Sequence, residues 1–406
     1  MLRFLVENRH WLGFGFTLTF ASAFGQTWFI SLFAGAIKDR FGLTDGGGGL
    51  VYTAATLASA ALLFARGGLA DTVRPARLGP LMALAFAALA LAFAFAPTLW
   101  LMGLALVGLR FCGQGMFGHI AMTAMGRWFR ARRGRAVSIA NLGHSAGEAV
   151  LPAAAVAAML LLGWQGAWVA VALLLALGVA PALALLGRER VAQSTETAQD
   201  SPGMGGRHWT RTDALRHWLF PALLPILLTP AFIGTVVFFH QVHIAGVKGW
   251  TLAQMAPGYG IFAGLSVASA LGAGWAADRF GPHRLLPVLL LPTGLGVALL
   301  GSADGVGGWF LALALIGATQ GLSSSLWGTF LPAVYGTRYL GSVRALATTA
   351  MVISTAIGPG LTGLLIDAGV DFPAQGLAMG LWCLALSGTG YLIQRRPAFD
   401  SVRATS

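Results

Sequence analysis

The sequence predicts an all-α membrane protein with twelve transmembrane helices arranged in two pseudo-symmetric six-helix bundles. The chain of 406 residues is 56% hydrophobic and 10% charged, whereas soluble domains carry about 25% charged residues. Apolar runs of about 20 residues recur along the chain, which is the length that a helix needs to cross a bilayer. A group of residues also recurs at one fixed offset, which indicates two related halves.

The apolar runs define the domain organisation. The N-terminal bundle covers 1–187, the C-terminal bundle covers 217–406, and a polar cytoplasmic linker over 188–216 joins them. The end of this linker carries basic residues and tryptophans, which fits either an amphipathic helix on the membrane surface or a plain lead into span seven. The predicted spans are 11–37, 47–67, 77–96, 98–126, 135–162, 164–187, 217–246, 254–277, 284–303, 308–334, 343–367 and 374–394.

The basic residues orient the chain in the membrane. All but four of the 26 lysines and arginines lie at the termini or in the loops on one side of these spans. The exceptions are Lys38, Arg40, Lys248 and Arg110. Because basic residues concentrate on the cytoplasmic side, we expect both termini in the cytoplasm and the chain in a bacterial inner (plasma) membrane. The same rule accounts for the net charge of +12, so no nucleic-acid partner is implied.

The two halves share a loop pattern at an offset of 207 residues. The matching positions are Gly67 with Gly274, Asp71 with Asp278, Arg77 with Arg284, Gly134 with Gly341, and Pro152 with Pro359. One offset that serves several separate regions favours a duplicated six-helix unit, as in transporters built from parallel repeats.

The second copy of this loop pattern, GWAADRFGPHR over 274–284, resembles the loop signature of the major facilitator superfamily. The first copy, GGLADTVRPAR, departs from that signature at Thr72 and Arg74. The resemblance implies a secondary transporter that works by alternating access. It also implies a gating role, without solute contact, for Asp71, Arg77, Asp278, Arg279 and Arg284.

A narrower resemblance concerns the stretch WFRARRGRAVSIANLGHSAG over 128–147. This stretch is similar to the loop and fifth helix of the monocarboxylate and oxalate–formate transporter branches. The resemblance implies that the solute is a monocarboxylate or a similar organic anion. Gly143 and Gly147 in this stretch have the small-xxx-small spacing that lets a neighbouring helix approach closely, which is a structural role independent of any solute.

Arg110 and Glu148 are the two formally charged residues well inside the predicted spans. Both lie roughly 20 Å below the outer membrane boundary at 1.5 Å per residue, on consecutive antiparallel helices. We therefore expect them to form an ion pair, since pairing lowers the cost of charge in lipid. Arg110 would bind the anionic group of the solute and Glu148 would carry a proton. A purely structural ion pair is the alternative.

Polar residues in the spans extend the candidate solute site. Gln114 lies four residues after Arg110, and Asn141, His144 and Glu148 share one helical face, where His144 is a second proton carrier. In the superfamily that the chain resembles, helices one, four, seven and ten line the central cavity. That resemblance adds Gln26, Trp28, His240, Gln241, Gln320 and Ser324, although Ser324 could instead bond back to its own helix.

Two alternatives remain beside a proton-coupled anion transporter. A broad-specificity drug or metabolite exporter would use Arg110 and Glu148 for coupling alone. A copper importer would use Cys112, Met116 and His119, which recur at helical spacing and suit Cu(I). No pattern of an enzyme is present, and no cofactor or resident metal is implied. The expected partners are a small solute, a proton and the lipid bilayer, with the protein a monomer.

Overall fold

The computed structural model describes residues 2–129, 133–187 and 201–395, apart from the side chains of Leu2, Arg3, Asp71 and Arg133. Every regular element in these ranges is helical. The 188–200 part of the linker lies outside the described residues, as does the side chain of Asp71, which the sequence assigned to gating.

The chain divides into two compact units. The first unit comprises Met1–Thr197 together with Gln241–His243, and the second comprises Ala198–His240 and Ile244–Ser406. Each unit is helical throughout its described residues.

The first unit contains eleven α-helices within the described ranges, with a π-helix at Phe111–Phe117 and another at Leu174–Val179. Short 3₁₀ turns occupy Ser22–Gly25 and Ser31–Phe33. The helices are α1 Leu2–Glu7, α2 Arg9–Ala21, α3 Thr27–Ile30, α4 Ala34–Phe41, α5 Asp45–Arg66, α6 Leu69–Thr72, α7 Pro75–Phe95, α8 Leu99–Arg110, α9 Gly118–Trp128, α10 Arg133–Leu173 and α11 Ala180–Leu186.

The helices that follow the linker belong to the second unit, except that the first turn of α14 groups with the first unit. Short 3₁₀ turns occupy Met204–Gly206 and Pro282–Leu285. The helices are α12 Arg211–Arg216, α13 Leu219–Phe239, α14 Gln241–Lys248, α15 Leu252–Met255, α16 Pro257–Phe280, α17 Leu291–Ser302, α18 Gly307–Tyr335, α19 Leu340–Asp367 and α20 Phe372–Gln394.

The predicted membrane class is confirmed by these helices. In the described part of the chain, nine helical segments are long and apolar enough to cross a bilayer, and a tenth candidate is a pair bent by 47°, Arg9–Gly25 with Thr27–Phe41. One of the nine, Gly134–Leu186, runs for 53 residues and holds two predicted spans. The short apolar helix Leu291–Ser302 corresponds to span nine, so each of the twelve predicted spans has a helical counterpart.

Spans five and six reverse direction at a single residue. Gly163 has φ 71° and ψ 170° within an otherwise helical run, a left-handed conformation that glycine adopts readily. Directly after it, Trp164 packs on Phe93. At the other end of the second arm, Gly187 lies against Ala76. Residues 164–187 therefore run antiparallel to α7.

The core of the first unit near this reversal is aromatic. Trp168 is fully buried, and its ring contacts Phe29, Phe33 and Phe93 at centroid distances of 5.6, 5.2 and 4.9 Å. These contacts join spans one, three and six.

The described end of the linker is folded against the second unit. Trp209 is buried, its backbone N–H donates to the Tyr335 carbonyl, and its indole N–H donates to the Met204 carbonyl. The helix in this region, Arg211–Arg216, has six residues and a capping box between Thr210 and Asp213. The helix therefore does not extend over the whole end of the linker, because Trp209 precedes it and packs against Tyr335.

Candidate functional site

The first feature of the site is a break in span one. Helix α2 ends at Ala21, a 3₁₀ turn follows, and Gln26 is extended with φ −82° and ψ 153° before helix α3 begins at Thr27. The Ser22 hydroxyl donates to the Thr19 carbonyl at 2.6 Å, a back-bond that bends helices. Broken helices are tolerated at membrane depth where other groups satisfy the freed backbone.

Span four deforms where it meets this break. Its residues Phe111–Phe117 form a π-helix, an element that is frequent at functional sites. Gly113 of this π-helix lies against Gly25, so closely that a Cβ atom on Gly113 would sit 2.6 Å from the Gly25 Cα. Only glycine on both sides allows the two backbones to approach in this way.

Arg110, the residue before the π-helix, binds the break. Its guanidinium is buried, and Nη1 donates to the Gly25 carbonyl at 3.3 Å and to the Thr27 hydroxyl at 3.2 Å. The Tyr52 ring lies over it, with Cζ 4.9 Å from the ring centroid, in cation–π geometry. The Tyr52 hydroxyl donates to the Thr27 hydroxyl at 2.7 Å. Three spans thus surround one buried cation.

The guanidinium has unused donors. In the described chain its hydrogen bonds involve Nη1 alone, and Nε is buried without an acceptor. Nε and Nη2 form one edge of the planar fork, which is the geometry that binds a carboxylate through two parallel hydrogen bonds.

The predicted ion pair between Arg110 and Glu148 is wrong in this structure. Arg110 instead binds a backbone carbonyl and a hydroxyl, while Glu148 Oε1 lies 3.4 Å from His144 Nε2. The sequence argument compared depths along two straight helices. It could not include the break in span one, which inserts a carbonyl acceptor beside the arginine.

Glu148 and His144 nevertheless lie close to the level of the break. Gly147, the residue before Glu148, packs against Ala23 and the Phe20 carbonyl. The His144 side chain is 37% exposed and the Glu148 side chain is 13% exposed, and Asn141 on the same face is exposed. Because Gly143 and Gly147 take the packing face, this polar face is turned away from helix α2.

The family of the protein follows from comparison with known sequences. The model of the Major Facilitator Superfamily matches residues 15–359. The chain belongs to the Major Facilitator Superfamily. This confirms the family that the sequence resembled, whose members are transporters. The narrower monocarboxylate resemblance is matched by two related sequences. Monocarboxylate transporter 11 of Mus musculus is 30% identical over 289 residues, covering 65% of this chain and 60% of the mouse protein.

The human monocarboxylate transporter 11 gives a similar match, 30% identical over 289 residues, with 66% of this chain and 58% of the human protein covered. The match therefore spans about three fifths of these relatives. Among solved structures, a bacterial homolog of the human lysosomal transporter Spinster has a TM-score of 0.74 at 17% identity and covers 98% of both chains. The nucleoside transporter NupG has a TM-score of 0.69 at 12% identity, covering 95% of this chain and 99% of its own. These structures show the superfamily fold.

Other predicted lining residues differ in their surroundings. Gln114 is exposed although Arg110 is buried, because the π-helix changes the spacing that placed them one turn apart. Gln26 is partly exposed at the break, whereas Trp28 is buried. Gln320 is exposed, and the Ser324 hydroxyl donates to the Gly321 carbonyl of its own helix at 2.8 Å, as the alternative for Ser324 predicted.

The histidine–glutamine segment of span seven has structural partners. The Gln241 side chain is buried and donates to the Trp28 carbonyl at 3.0 Å and to the Ser31 hydroxyl at 2.8 Å. His240 Nε2 lies 2.8 Å from the Thr362 hydroxyl. These bonds engage the Nε2 atoms of two residues that the sequence assigned to solute contact.

Sequence reasoning missed a charged cluster in the first unit. Asp45 Oδ1 lies 2.7 Å from Lys38 Nζ, and Asp45 Oδ2 lies 3.2 Å from His243 Nδ1. All three side chains are between 16% and 22% exposed. The signal in the sequence was a short run with charges of both signs, from Lys38 to Asp45, on the side that is poor in basic residues.

The residues that the sequence assigned to gating, as far as the structure describes them, lie at helix ends and loops. Arg77, Asp278, Arg279 and Arg284 are exposed, and Arg279 lies 5.7 Å from the ring centroids of Trp275 and Phe280. In the described chain no cation lies within ion-pair distance of Asp278, so its gating role stays a prediction.

The three residues of the alternative copper site do not share one environment. Cys112 and Met116 are buried in packing, while His119 is exposed. Among the described residues, no group of three or more histidine, cysteine or acidic side chains could hold a metal ion.

Proposed function

We propose that this Major Facilitator Superfamily transporter carries a small monocarboxylate or similar organic anion together with a proton. The solute carboxylate binds Arg110 at the break in span one. The exchangeable proton is carried by the His144–Glu148 pair. In this proposal the solute does not displace Glu148 from Arg110, because these two residues have separate partners.

The observation that carries the proposal is the environment of Arg110. A buried charge is costly unless it is paired, and no carboxylate of the described chain lies within 4 Å of this guanidinium. Its partners, the Gly25 carbonyl and the Thr27 hydroxyl, are neutral. A solute carboxylate supplies the missing negative charge on the free Nε–Nη2 edge.

The proton side of the proposal depends on the His144–Glu148 contact of 3.4 Å. A histidine and a carboxylate together can hold one proton or two near neutral pH. Intramembrane ionisable residues of this kind mark solute and proton pathways. Gly147, the span-five residue before Glu148, packs against Ala23 in the break of span one, which supports a proton site near the level of Arg110.

The related proteins support the solute class. Monocarboxylate transporter 11 of mouse and man share 30% identity with this chain. The part of the chain that resembled that branch by sequence, 128–147, includes His144 and leads directly into Glu148.

The test is solute binding to purified protein, followed by uptake into proteoliposomes. We expect L-lactate, pyruvate or acetate to raise the melting temperature, because a ligand of the folded state stabilises it. Arg110→Gln removes two charge-assisted hydrogen bonds, each worth about 1.5–3 kcal/mol. Its affinity for these carboxylates should fall by about 100-fold or more. Arg110→Lys should fail in the same way, because an ammonium lacks the planar fork.

The matched control is Arg40→Gln. Like Arg110, Arg40 donates two hydrogen bonds to neutral acceptors, in its case the Ala94 and Ala96 carbonyls at 3.3 and 2.8 Å, but it lies away from the break. It should lose stability and keep carboxylate binding. If Arg110→Gln binds carboxylates as tightly as Arg40→Gln does, the proposed solute site is wrong. Stabilisation of the wild type by amphiphilic drugs alone would favour the exporter instead.

A further inference from the structure

A cavity lies in the second unit, at the helix ends on the side where the basic residues concentrate. It has a volume of about 360 Å³ and is lined by His283, Arg284, Gln394 and Arg395. We propose that this cavity binds the phosphate head group of an anionic membrane lipid. The site is independent of the solute site at Arg110.

Two chain segments build the cavity. Helix α16 ends at Phe280, and the following Gly281, with φ 81°, turns the chain into the 3₁₀ turn Pro282–Leu285. Helix α20 ends at Gln394 beside this turn. Gly390 brings the two segments together, because a Cβ atom there would lie 3.0 Å from the Leu286 carbonyl oxygen. The walls of the cavity are therefore parts of packed elements.

The lining has the chemistry of an anion site. All four side chains carry N–H donors and two of them are guanidinium groups, and none of the lining residues within the described chain is acidic. Guanidinium groups bind phosphate oxygens in a bidentate manner. Arg395 is held in place by the Tyr391 ring, with Cζ 4.3 Å from the ring centroid. His283 is buried in the wall, and Arg284 is exposed.

The surroundings favour a lipid over a free phosphate compound. Exposed aromatic side chains flank the two segments, namely Trp275 at 60%, Phe280 at 43% and Tyr391 at 42% exposure. Aromatic side chains in such positions mark the membrane–water interface. By the distribution of basic residues this end faces the cytoplasmic leaflet, which holds anionic lipids, and basic pockets between helices there bind lipid head groups.

The experiment uses native mass spectrometry of the full-length protein in detergent, titrated with phosphatidylglycerol and, separately, with phosphatidylcholine. We expect the tightest phosphatidylglycerol-binding event to weaken by about tenfold or more in the double variant R284Q/R395Q, since each arginine near the surface contributes to anionic-lipid affinity. The control R211Q/R338Q removes the same charge from exposed arginines that do not line the cavity. Its affinity should stay within about twofold of the wild type.

Gln394→Glu gives a second test that keeps both arginines. Its carboxylate repels a phosphate in the cavity, so phosphatidylglycerol affinity should again fall. The proposal is overturned if R211Q/R338Q loses as much affinity as R284Q/R395Q, or if Gln394→Glu binds phosphatidylglycerol like the wild type. It is also overturned if phosphatidylcholine binds equally well, or if inorganic phosphate displaces the lipid from this site.

Discussion

Replacing Gly113 by alanine should separate spans one and four and so disable the arginine site. An added Cβ atom at this position would lie 2.6 Å from the Gly25 Cα, 2.7 Å from the Gly25 nitrogen and 2.9 Å from the Phe86 ring. The first two atoms belong to the backbone, which cannot move aside as a flexible side chain can. The two spans must shift apart instead.

The size of the effect follows from these distances. Non-bonded carbon atoms prefer a separation of about 3.5–4.0 Å, so the backbones must separate by about 1 Å. Overpacking of this kind costs about 1–3 kcal/mol of stability. The Arg110–Gly25 hydrogen bond is already 3.3 Å long, and a further shift would take it beyond hydrogen-bond distance. We therefore expect Gly113→Ala to lose both stability and carboxylate binding.

Gly103→Ala is the matched control in the same span. Gly103 lies in helix α8, and a Cβ atom there would meet nothing within 4 Å. Since alanine is the better helix former, this variant should be neutral or gain up to about 1 kcal/mol. The assay is the melting temperature of both variants in detergent, with and without L-lactate. Equal melting temperatures and equal lactate shifts in the two variants would refute the close approach as the basis of the site.

Three further variants test other parts of the protein. Asp45→Asn removes a carboxylate that contacts Lys38 and His243 and should cost about 1–3 kcal/mol of stability, measured by thermal denaturation, whereas Asp304→Asn, in an exposed loop, should cost little. Asp213→Asn should flatten the fall in melting temperature as the pH is lowered. Hydrogen bonds from Thr210 lower the pKa of the Asp213 carboxyl, so that stabilisation is present at neutral pH and is lost as the pH falls through the lowered pKa. Ala198→Cys should resist an impermeant thiol reagent in intact cells, because we place the linker in the cytoplasm, and rapid labelling would contradict that topology.

The fold class could be predicted because it depends on long-range regularities of the sequence. Run length and composition identify helices that cross a bilayer, and the offset of 207 residues reveals the duplication. The interruption of span one could not be predicted in the same way. Gly25 and Gln26 are ordinary residues in an apolar run, and the break depends on hydroxyl back-bonds and on the approach of span four.

The residues of the candidate site could be selected in part for a related reason. Arg110 and Glu148 stand out because intramembrane charge is costly, so both were identified. Their partners were predicted from uniform helix geometry, which the π-helix and the break invalidate. The His144–Glu148 contact has the i, i+4 spacing of a regular helix. The sequence therefore predicts that His144 and Glu148 share one helical face, but it assigns Arg110, and not His144, as the partner of Glu148.

The reversal at Gly163 has a consequence for how this chain tolerates change in length. The antiparallel arms meet without an intervening loop, so that membrane face offers neither a protease nor an antibody a segment between them. An epitope inserted there would have to displace Trp164 and Gln165, and the Gln165 side chain donates to the Ala94 carbonyl at 3.4 Å. Insertions in related sequences should therefore occur elsewhere. Spans five and six should vary in sequence while the connection between them stays one residue long.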